Sequence, residues 1–236
     1  MGALLARLTA VLAASACPAH ATNVDTAIVF AVDVSASIDA ATADMQRQGH
    51  AEALVAPEVI AAIARGGSLG CIAITYFEWA GPGHVRTVLP WTAICSHGDA
   101  QAAATIIRRD GDSGRGCIRN CSTSISFAID LSGILFERYP GHAERKVIDI
   151  SANGTNNDGL PVAFSRLRAL RNGYTINAIA MPAHTRGVAE DLTDYFAKNV
   201  IGGPGAFVVS PASVGDYADA LRRKLVVEIS SLAVAE

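Results

Sequence analysis

The sequence predicts an α/β domain with a doubly wound, mostly parallel sheet, one antiparallel edge strand and helices on both faces. Residues 27–32 form a continuous apolar run rich in Ile, Val and Phe, typical of a parallel strand buried on both sides. Beyond it, segments with helical spacing of apolar residues alternate with short apolar strands. Half of the 236 residues are apolar and 17% are charged, which favours one large core.

The elements are predicted in order from these spacings. Apolar residues at helical spacing over residues 40–64 stop before Gly66–Gly67, which favours a glycine-ended helix. A strand from about Cys71 to Phe77 then turns through Gly81–Pro82–Gly83 into an antiparallel edge strand, Val85 to Trp91. The later predicted elements are helices near Asp99–Arg108, Ser124–Tyr139, Leu160–Arg171, Glu190–Lys198 and Val214–Leu232, and strands Lys146–Ser151, Tyr174–Met181 and Ala206–Val209.

The first 21 residues have the features of an export signal. Arg7 supplies the positive charge, residues 8–16 are apolar, and Ala19–His20–Ala21 offers a cleavage site. We therefore expect a signal peptide over residues 1–21 and a single domain over residues 22–236, secreted or periplasmic. An alternative is lipidation of Cys17, although the expected large aliphatic residue three positions earlier is missing. No later apolar stretch is long enough to predict a transmembrane segment.

Four cysteines follow the predicted signal. An even number in an exported chain favours two disulfides, and three pairings are possible. The predicted hairpin would place Cys71 opposite a residue near position 94, which favours Cys71 with Cys95 and leaves Cys117 with Cys121. The alternative is that these cysteines are free, buried thiols.

Oxygen-bearing side chains follow the first predicted strand. Asp33, Ser35 and Ser37 alternate there and offer hard oxygen donors suited to Mg²⁺, Mn²⁺ or Ca²⁺. In doubly wound sheets, ligands bind beyond the carboxyl ends of the strands. That rule would bring this segment together with the loop before the Ser124 helix and with residues 152–159. The alternative is that Asp33 caps a turn and that the serines bond to loop amides.

These residues resemble the motif of the von Willebrand factor A (vWA) domains. That family carries D-x-S-x-S after the first strand, a Thr in a later loop that opens a helix, and an Asp after the fourth strand. Asp33, Ser35 and Ser37 match the first part, and Thr123 matches the second. Asn153 stands where the family usually has Asp. The resemblance implies a vWA/Rossmann-like fold and a metal-ion-dependent adhesion site (MIDAS) formed by these five residues.

Asn153 is the departure from the family pattern. It keeps an oxygen donor but removes one negative charge, so the site would hold its cation more weakly. Asp149 lies inside the predicted strand and is not expected to replace the missing carboxylate, whereas Asp158 lies in the following loop and could.

The resemblance extends over nearly the whole exported chain to a group of secreted bacterial A-like domains of unknown function. Its fold is therefore predicted more specifically than its role. The similar stretches are residues 75–81, 90–92, 123–126, 147–151 and 200–207.

The resemblance implies a binding module rather than an enzyme. Its cation would bridge to an Asp or Glu of a partner protein. Trp79 would either serve as an interface anchor at the same end of the sheet or pack beneath the hairpin. One alternative is a metal-free binding scaffold with a degenerate site. A metal-assisted hydrolase is another, but no His falls in the three site loops to act as a base. The net charge of -3 argues against nucleic acid as a partner.

Overall fold

The sheet has six strands with helices on both faces. The computed structural model describes residues 22–111, 121–181 and 192–230. The strands are β1 Val24–Asp33, β2 Ile72–Trp79, β3 Val85–Ile94, β4 Ala143–Ala152, β5 Thr175–Ala180 and β6 Val208–Val209. The helices are α1 Ala40–Val55, α2 Pro57–Arg65, α3 His97–Asp110, α4 Ile125–Glu137, α5 Val162–Arg171, α6 Leu192–Asn199 and α7 Tyr217–Ser230, with a 3₁₀ turn over Val214–Asp216.

The strand order confirms the predicted doubly wound architecture. It is β3-β2-β1-β4-β5-β6, and only the β2–β3 pair is antiparallel among the described strands. The chain builds outward from β1 to one edge and then crosses to β4 on the other side. The carboxyl end of β1, beside β4, is therefore the switch point at which sheets of this kind bind ligands.

The helices cover the two faces with separate apolar clusters. Helices α1, α2, α3 and α7 pack on one face, with Leu54 and Leu221 among the fully buried side chains. Helices α4, α5 and α6 pack on the other, where Ile125 and Phe196 are fully buried. Because both faces are covered, every residue of β1 is buried, which explains the continuous apolar run over residues 27–32.

The single helix predicted over residues 40–64 is wrong. The segment forms two helices that meet at Ala56, whose φ of -64° and ψ of 136° are extended. Pro57 causes the break, because its ring disfavours helical geometry in the residue before it and it has no N–H to continue the helix. The last predicted helix also starts later than expected, at Tyr217 after the 3₁₀ turn, and Leu232 lies outside the described residues.

The hairpin and its disulfide match the prediction. Ile72 pairs with Ile94, and Cys71 and Cys95 are joined with a Cα–Cα distance of 4.3 Å. Cys121 is also disulfide-bonded. Cys117, Cys17 and the predicted signal peptide lie outside the described residues.

Trp79 packs in the core and is not an interface anchor. Its side chain is 0% exposed and belongs to the apolar cluster beneath α4. It ends β2 opposite Asp33, with its side chain on the face of the sheet that α4, α5 and α6 cover. Among the described residues, no helix is long and apolar enough to cross a membrane.

Candidate metal centre

The end of β1 is fixed by hydrogen bonds. The Val34 N–H donates to the Trp79 carbonyl at 2.8 Å, and the Gln46 amide donates to the Asp33 carbonyl at 2.9 Å. The Ser35 N–H donates to Asp33 Oδ1 at 2.7 Å. This turn follows directly from the sequence, because an Asp side chain readily accepts from the backbone N–H two residues later. The Asp33 carboxylate is thus held at the switch point.

The structure brings all five predicted side chains together. The Thr123 hydroxyl donates to Ser35 Oγ at 3.1 Å, and the Ser35 and Ser37 hydroxyl oxygens lie 3.3 Å apart. The Ser37 hydroxyl then donates to Asn153 Oδ1 at 2.7 Å. With Asp33 hydrogen-bonded to the backbone of Ser35, three segments distant in sequence form one cluster of oxygen atoms.

Asn153 directs its oxygen into this cluster. Its Nδ2 donates to the Ser37 carbonyl at 3.2 Å, while its Oδ1 accepts from the Ser37 hydroxyl. These two partners, a carbonyl that accepts and a hydroxyl that donates, fix which end of the Asn153 amide is the nitrogen and which is the oxygen. Oδ1 is the atom that can serve as a ligand to a hard cation.

The Asp33 carboxylate is buried and only partly hydrogen-bonded. Its side chain is fully buried, and no described residue forms a hydrogen bond to Oδ2. Burial raises the pKa of Asp33 to about 6, against the opposing effects of Ser35 and of the nearby Asn153 backbone N–H. An ionised carboxylate buried without a counter-charge is costly. A divalent cation fits this position, because it would balance the charge and accept Oδ2 as a ligand.

The donor set is mostly neutral. Among the described residues, no three His, Cys, Asp or Glu side chains form a group that could hold a metal ion. The cluster instead combines one carboxylate with three hydroxyls and an amide oxygen, all of them hard donors suited to Mg²⁺, Mn²⁺ or Ca²⁺. Asp33, Ser35, Thr123 and Asn153 are at most 8% exposed, whereas Ser37 is exposed, so the cluster meets solvent on the Ser37 side.

Sequence reasoning missed two asparagines that position Thr123 and the first turn of α4. The Asn157 side chain accepts from the Thr123 N–H at 2.7 Å, and the Asn157 N–H donates to the Thr123 carbonyl at 2.9 Å. Asn156 Oδ1 accepts from the Ser126 N–H at 3.0 Å, in the first turn of α4. The polar composition of residues 152–159 indicated a site loop, but nothing in it identified which residue contacts which.

Neither nearby aspartate replaces the missing carboxylate in the cluster. Asp149 lies within β4 and pairs with Lys224 at 2.6 Å. Asp158 accepts from the Ser122 hydroxyl at 2.6 Å and from the Gly159 N–H at 2.7 Å, and these bonds lower its pKa. Asp158 therefore ties the loop to the segment before α4.

Residues 23–233 match the profile of a family described as "Protein of unknown function (DUF1194)". The chain belongs to this family. Among curated proteins, none matches the sequence significantly. The family assignment agrees with the expected relation to a group of unknown function, while bacterial origin and secretion remain expectations for this DUF1194 chain.

Solved structures of similar fold include three vWA-like proteins. The pilus adhesin SpaC from Lactobacillus rhamnosus GG has a TM-score of 0.59 at 12% identity, over 88% of this chain and 30% of SpaC. Proximal thread matrix protein 1 from the mussel byssus, with a zinc-occupied MIDAS motif, has 0.59 at 16% identity, over 89% and 48%. Manganese-loaded TRAP from Plasmodium vivax has 0.50 at 11%, over 87% and 73%.

These similarities show the fold, which is vWA-like as the sequence resemblance implied. The identities are too low to transfer a function. The DUF1194 chain spans about a third of SpaC and about half of the mussel protein.

Proposed function

We propose that this DUF1194 chain is a binding module that holds a divalent cation at Asp33, Ser35, Ser37, Thr123 and Asn153. The cation engages an Asp or Glu of a partner protein outside the cytoplasm. The observation that carries the proposal is Asp33 Oδ2, a buried carboxylate oxygen without a described partner inside a cluster of hard oxygen donors.

The charge of the cluster explains why a partner would complete it. One carboxylate neutralises only half of a divalent charge, so the bound ion keeps a net positive charge and attracts an anionic ligand. The exposed Ser37 side gives that ligand a path. The Cys71–Cys95 disulfide supports an oxidising compartment.

The solved structures support a cation and a protein partner in general terms. One is an adhesin, one carries zinc in its MIDAS motif, and one is loaded with manganese. Two of them are named as an adhesin and as a matrix protein, which supports binding over catalysis. We favour Mg²⁺, with Mn²⁺ or Ca²⁺ as alternatives, from the hardness of the donors.

Asn153 favours a second candidate, a metal-free vWA-like scaffold that binds through its loops. The three hydroxyls and the Asn153 oxygen already bond to one another, and the site lacks the second carboxylate of the usual motif. The two candidates differ in whether a cation stabilises the folded chain.

Thermal unfolding separates these candidates. We expect Mg²⁺, Mn²⁺ or Ca²⁺ to raise the Tm relative to EDTA, because a ligand bound only by the native state stabilises it by about 2.7 kcal/mol at a hundredfold excess over its Kd. For a domain of this size that is roughly 5–10 °C. Asp33→Ala should abolish the rise, whereas Asp219→Ala, which removes an exposed carboxylate on α7, should keep it. Absence of a rise in the unmodified chain at millimolar metal would favour the metal-free scaffold.

Restoring the missing charge should strengthen cation binding. We expect Asn153→Asp to tighten Mg²⁺ binding at least about tenfold by calorimetry, because affinity rises with the number of charged ligands. In EDTA the same variant should unfold more easily, since two carboxylates would then share one buried site. Asn172→Asp makes the same chemical change at the far end of α5 and should leave the Mg²⁺ affinity unchanged. Equal Mg²⁺ affinity in both variants would argue against Asn153 as a ligand.

A further inference from the structure

A cavity of about 340 Å³ lies beside the candidate metal centre, between α5, α6 and the loop that carries Asn153. Tyr195 closes one side, and its hydroxyl accepts from the Asn156 N–H at 3.2 Å. Its described lining includes Asn156, Val162, Arg166, Tyr195, Lys198 and Asn199.

The cavity has a positive lining. Arg166 and Lys198 supply two cations, and none of the described lining residues is acidic. The Nε of Arg166 donates to the Ile201 carbonyl at 2.7 Å, which holds the guanidinium in place with one of its five N–H donors. Lys198 pairs with Asp194 at 3.1 Å, but both side chains are more than 60% exposed, and such a pair is weak. Lys198 can therefore turn to another anion.

Helix α5 adds to this potential. It begins at Val162 in the cavity wall, and no side chain caps its first turn. The positive end of the helix dipole thus faces the same space as the two cations. Together, these features complement an anionic group.

Helix α5 and the residues just before it, which line part of the cavity, also carry exposed apolar side chains. Leu160, Phe164 and Leu167 are 52%, 64% and 47% exposed, and they recur at the spacing of one helix face. Exposed large apolar side chains in a row next to a charged cavity are typical of an interaction surface. They suit an aromatic or aliphatic residue next to the anionic group.

The cavity and the metal centre share one loop. Asn153 belongs to the centre, and Asn156, three residues later in the chain, lines the cavity. Three residues span at most about 11 Å, so the Cα atoms of Asn153 and Asn156 are no farther apart than that. An extended peptide advances about 3.3–3.6 Å per residue. Two residues of a partner that lie two to four positions apart can therefore reach both places.

We infer that this cavity is a second subsite for the partner, and that it takes an acidic side chain two to four residues from the one that reaches the cation. The partner segment is thus extended, has two acidic residues, and carries an apolar residue that packs on Phe164. This inference rests on the proposed function and adds a positively charged recognition element to it.

Selection from a displayed library tests the inference. The library consists of random nonapeptides with one fixed central Asp, selected on the folded chain in Mg²⁺ and, separately, in EDTA. Mg²⁺-dependent peptides should be enriched in a second Asp or Glu at two to four positions from the fixed one. In synthetic peptides, replacing that second acid with Ala should weaken binding about tenfold, as expected for loss of a charge-assisted contact.

Lys198→Glu and Arg65→Glu form the matched pair of charge reversals. Lys198 lines the cavity, whereas Arg65 is exposed at the end of α2 on the other face of the sheet. Lys198→Glu should remove the preference for the second acid but keep the dependence on Mg²⁺ and on the fixed Asp. Phe164→Ser should remove the apolar preference. Arg65→Glu should select the same peptides as the unmodified chain.

The outcomes distinguish the two proposals. Mg²⁺-dependent peptides without a second acid, or equal effects of the two charge reversals, overturn the subsite and leave the cation function intact. A second-acid preference that depends on Lys198 but persists in EDTA supports the subsite and overturns the cation bridge. A selection that yields no binding peptide overturns both.

Discussion

Replacing Lys224 with Ala should lower the free energy of unfolding by about 3–5 kcal/mol, the cost of breaking a buried ion pair from one side. The Lys224 ammonium lies 2.6 Å from Asp149 Oδ1 and also pairs with Glu228. The three side chains are at most 1% exposed. The substitution therefore leaves two carboxylates buried between α7 and β4 without their cation.

The pKa values of Lys224 and Glu228 reflect the burial of this charge cluster and the interactions within it. Burial opposes the charge of Lys224, but Asp149 and Glu228 raise its pKa above the ordinary value. Burial also raises the pKa of Glu228, and the Asp149 charge adds to that effect. The Asn177 amide donates to Glu228 Oε1 at 2.8 Å but cannot replace a positive charge.

Chemical denaturation measures the effect, with Arg223→Ala as the control. Arg223 precedes Lys224 on α7 but is exposed, so its removal should change stability by no more than about 0.5 kcal/mol. A decrease in the free energy of unfolding of less than about 1 kcal/mol for Lys224→Ala would show that burying the two carboxylates without Lys224 is not costly.

His50 should make the fold sensitive to acid, by about 2 kcal/mol between pH 7.5 and 5 and about 3 kcal/mol when complete. The ring is buried between Phe30 and Tyr76, with centroid distances of 5.1 and 5.0 Å. Burial lowers the pKa of His50 to about 4, although its hydrogen bond to the Gln46 carbonyl and the charge of Asp149 oppose the shift.

The sign of the effect follows from proton uptake. A free histidine has a pKa near 6.5, so between pH 6.5 and 4 the unfolded chain binds a proton that the native chain excludes. Stability from this group is therefore complete above pH 6.5 and is lost as pH falls through that window. The raised pKa of Glu228 acts in the opposite direction, because its native form takes up a proton at higher pH than the unfolded chain does.

Comparing the pH dependence of stability in two histidine variants isolates the contribution of His50. The slope of unfolding free energy against pH should flatten in His50→Gln relative to the unmodified chain. His97→Gln changes an exposed residue at the start of α3 and should preserve the slope. Identical slopes in both variants would mean that other groups control the acid response.

The sequence was sufficient to predict the fold because the spacing of apolar residues in the strands differs clearly from that in the helices. Residues 27–32 of β1 are all apolar because helices cover the strand on both sides, and that same pattern predicts a buried parallel strand. The hairpin was predictable from Gly81–Pro82–Gly83, and its register then placed Cys71 near Cys95. The break at Pro57 was also present in the sequence, but the helical spacing of the apolar residues continues across it.

The candidate site was predictable in part. A resemblance identified Asp33, Ser35, Ser37, Thr123 and Asn153, and the rule for parallel sheets placed their loops at one edge. Contacts across that edge join residues more than 80 positions apart, such as Thr123 with Ser35. No local pattern encodes such a pair, so Asn157 could not be assigned to Thr123 in advance.

The sequence by itself determined the alternation of strands and helices and the hairpin, because these depend on local spacing, and its resemblance to the vWA motif supplied the set of oxygen donors. The tertiary structure decided what surrounds each donor. It buried Trp79 in the core, paired Asp149 with Lys224, and left Asp33 Oδ2 without a described hydrogen-bond partner. Burial and charge balance depend on which elements pack together, and distant residues set them.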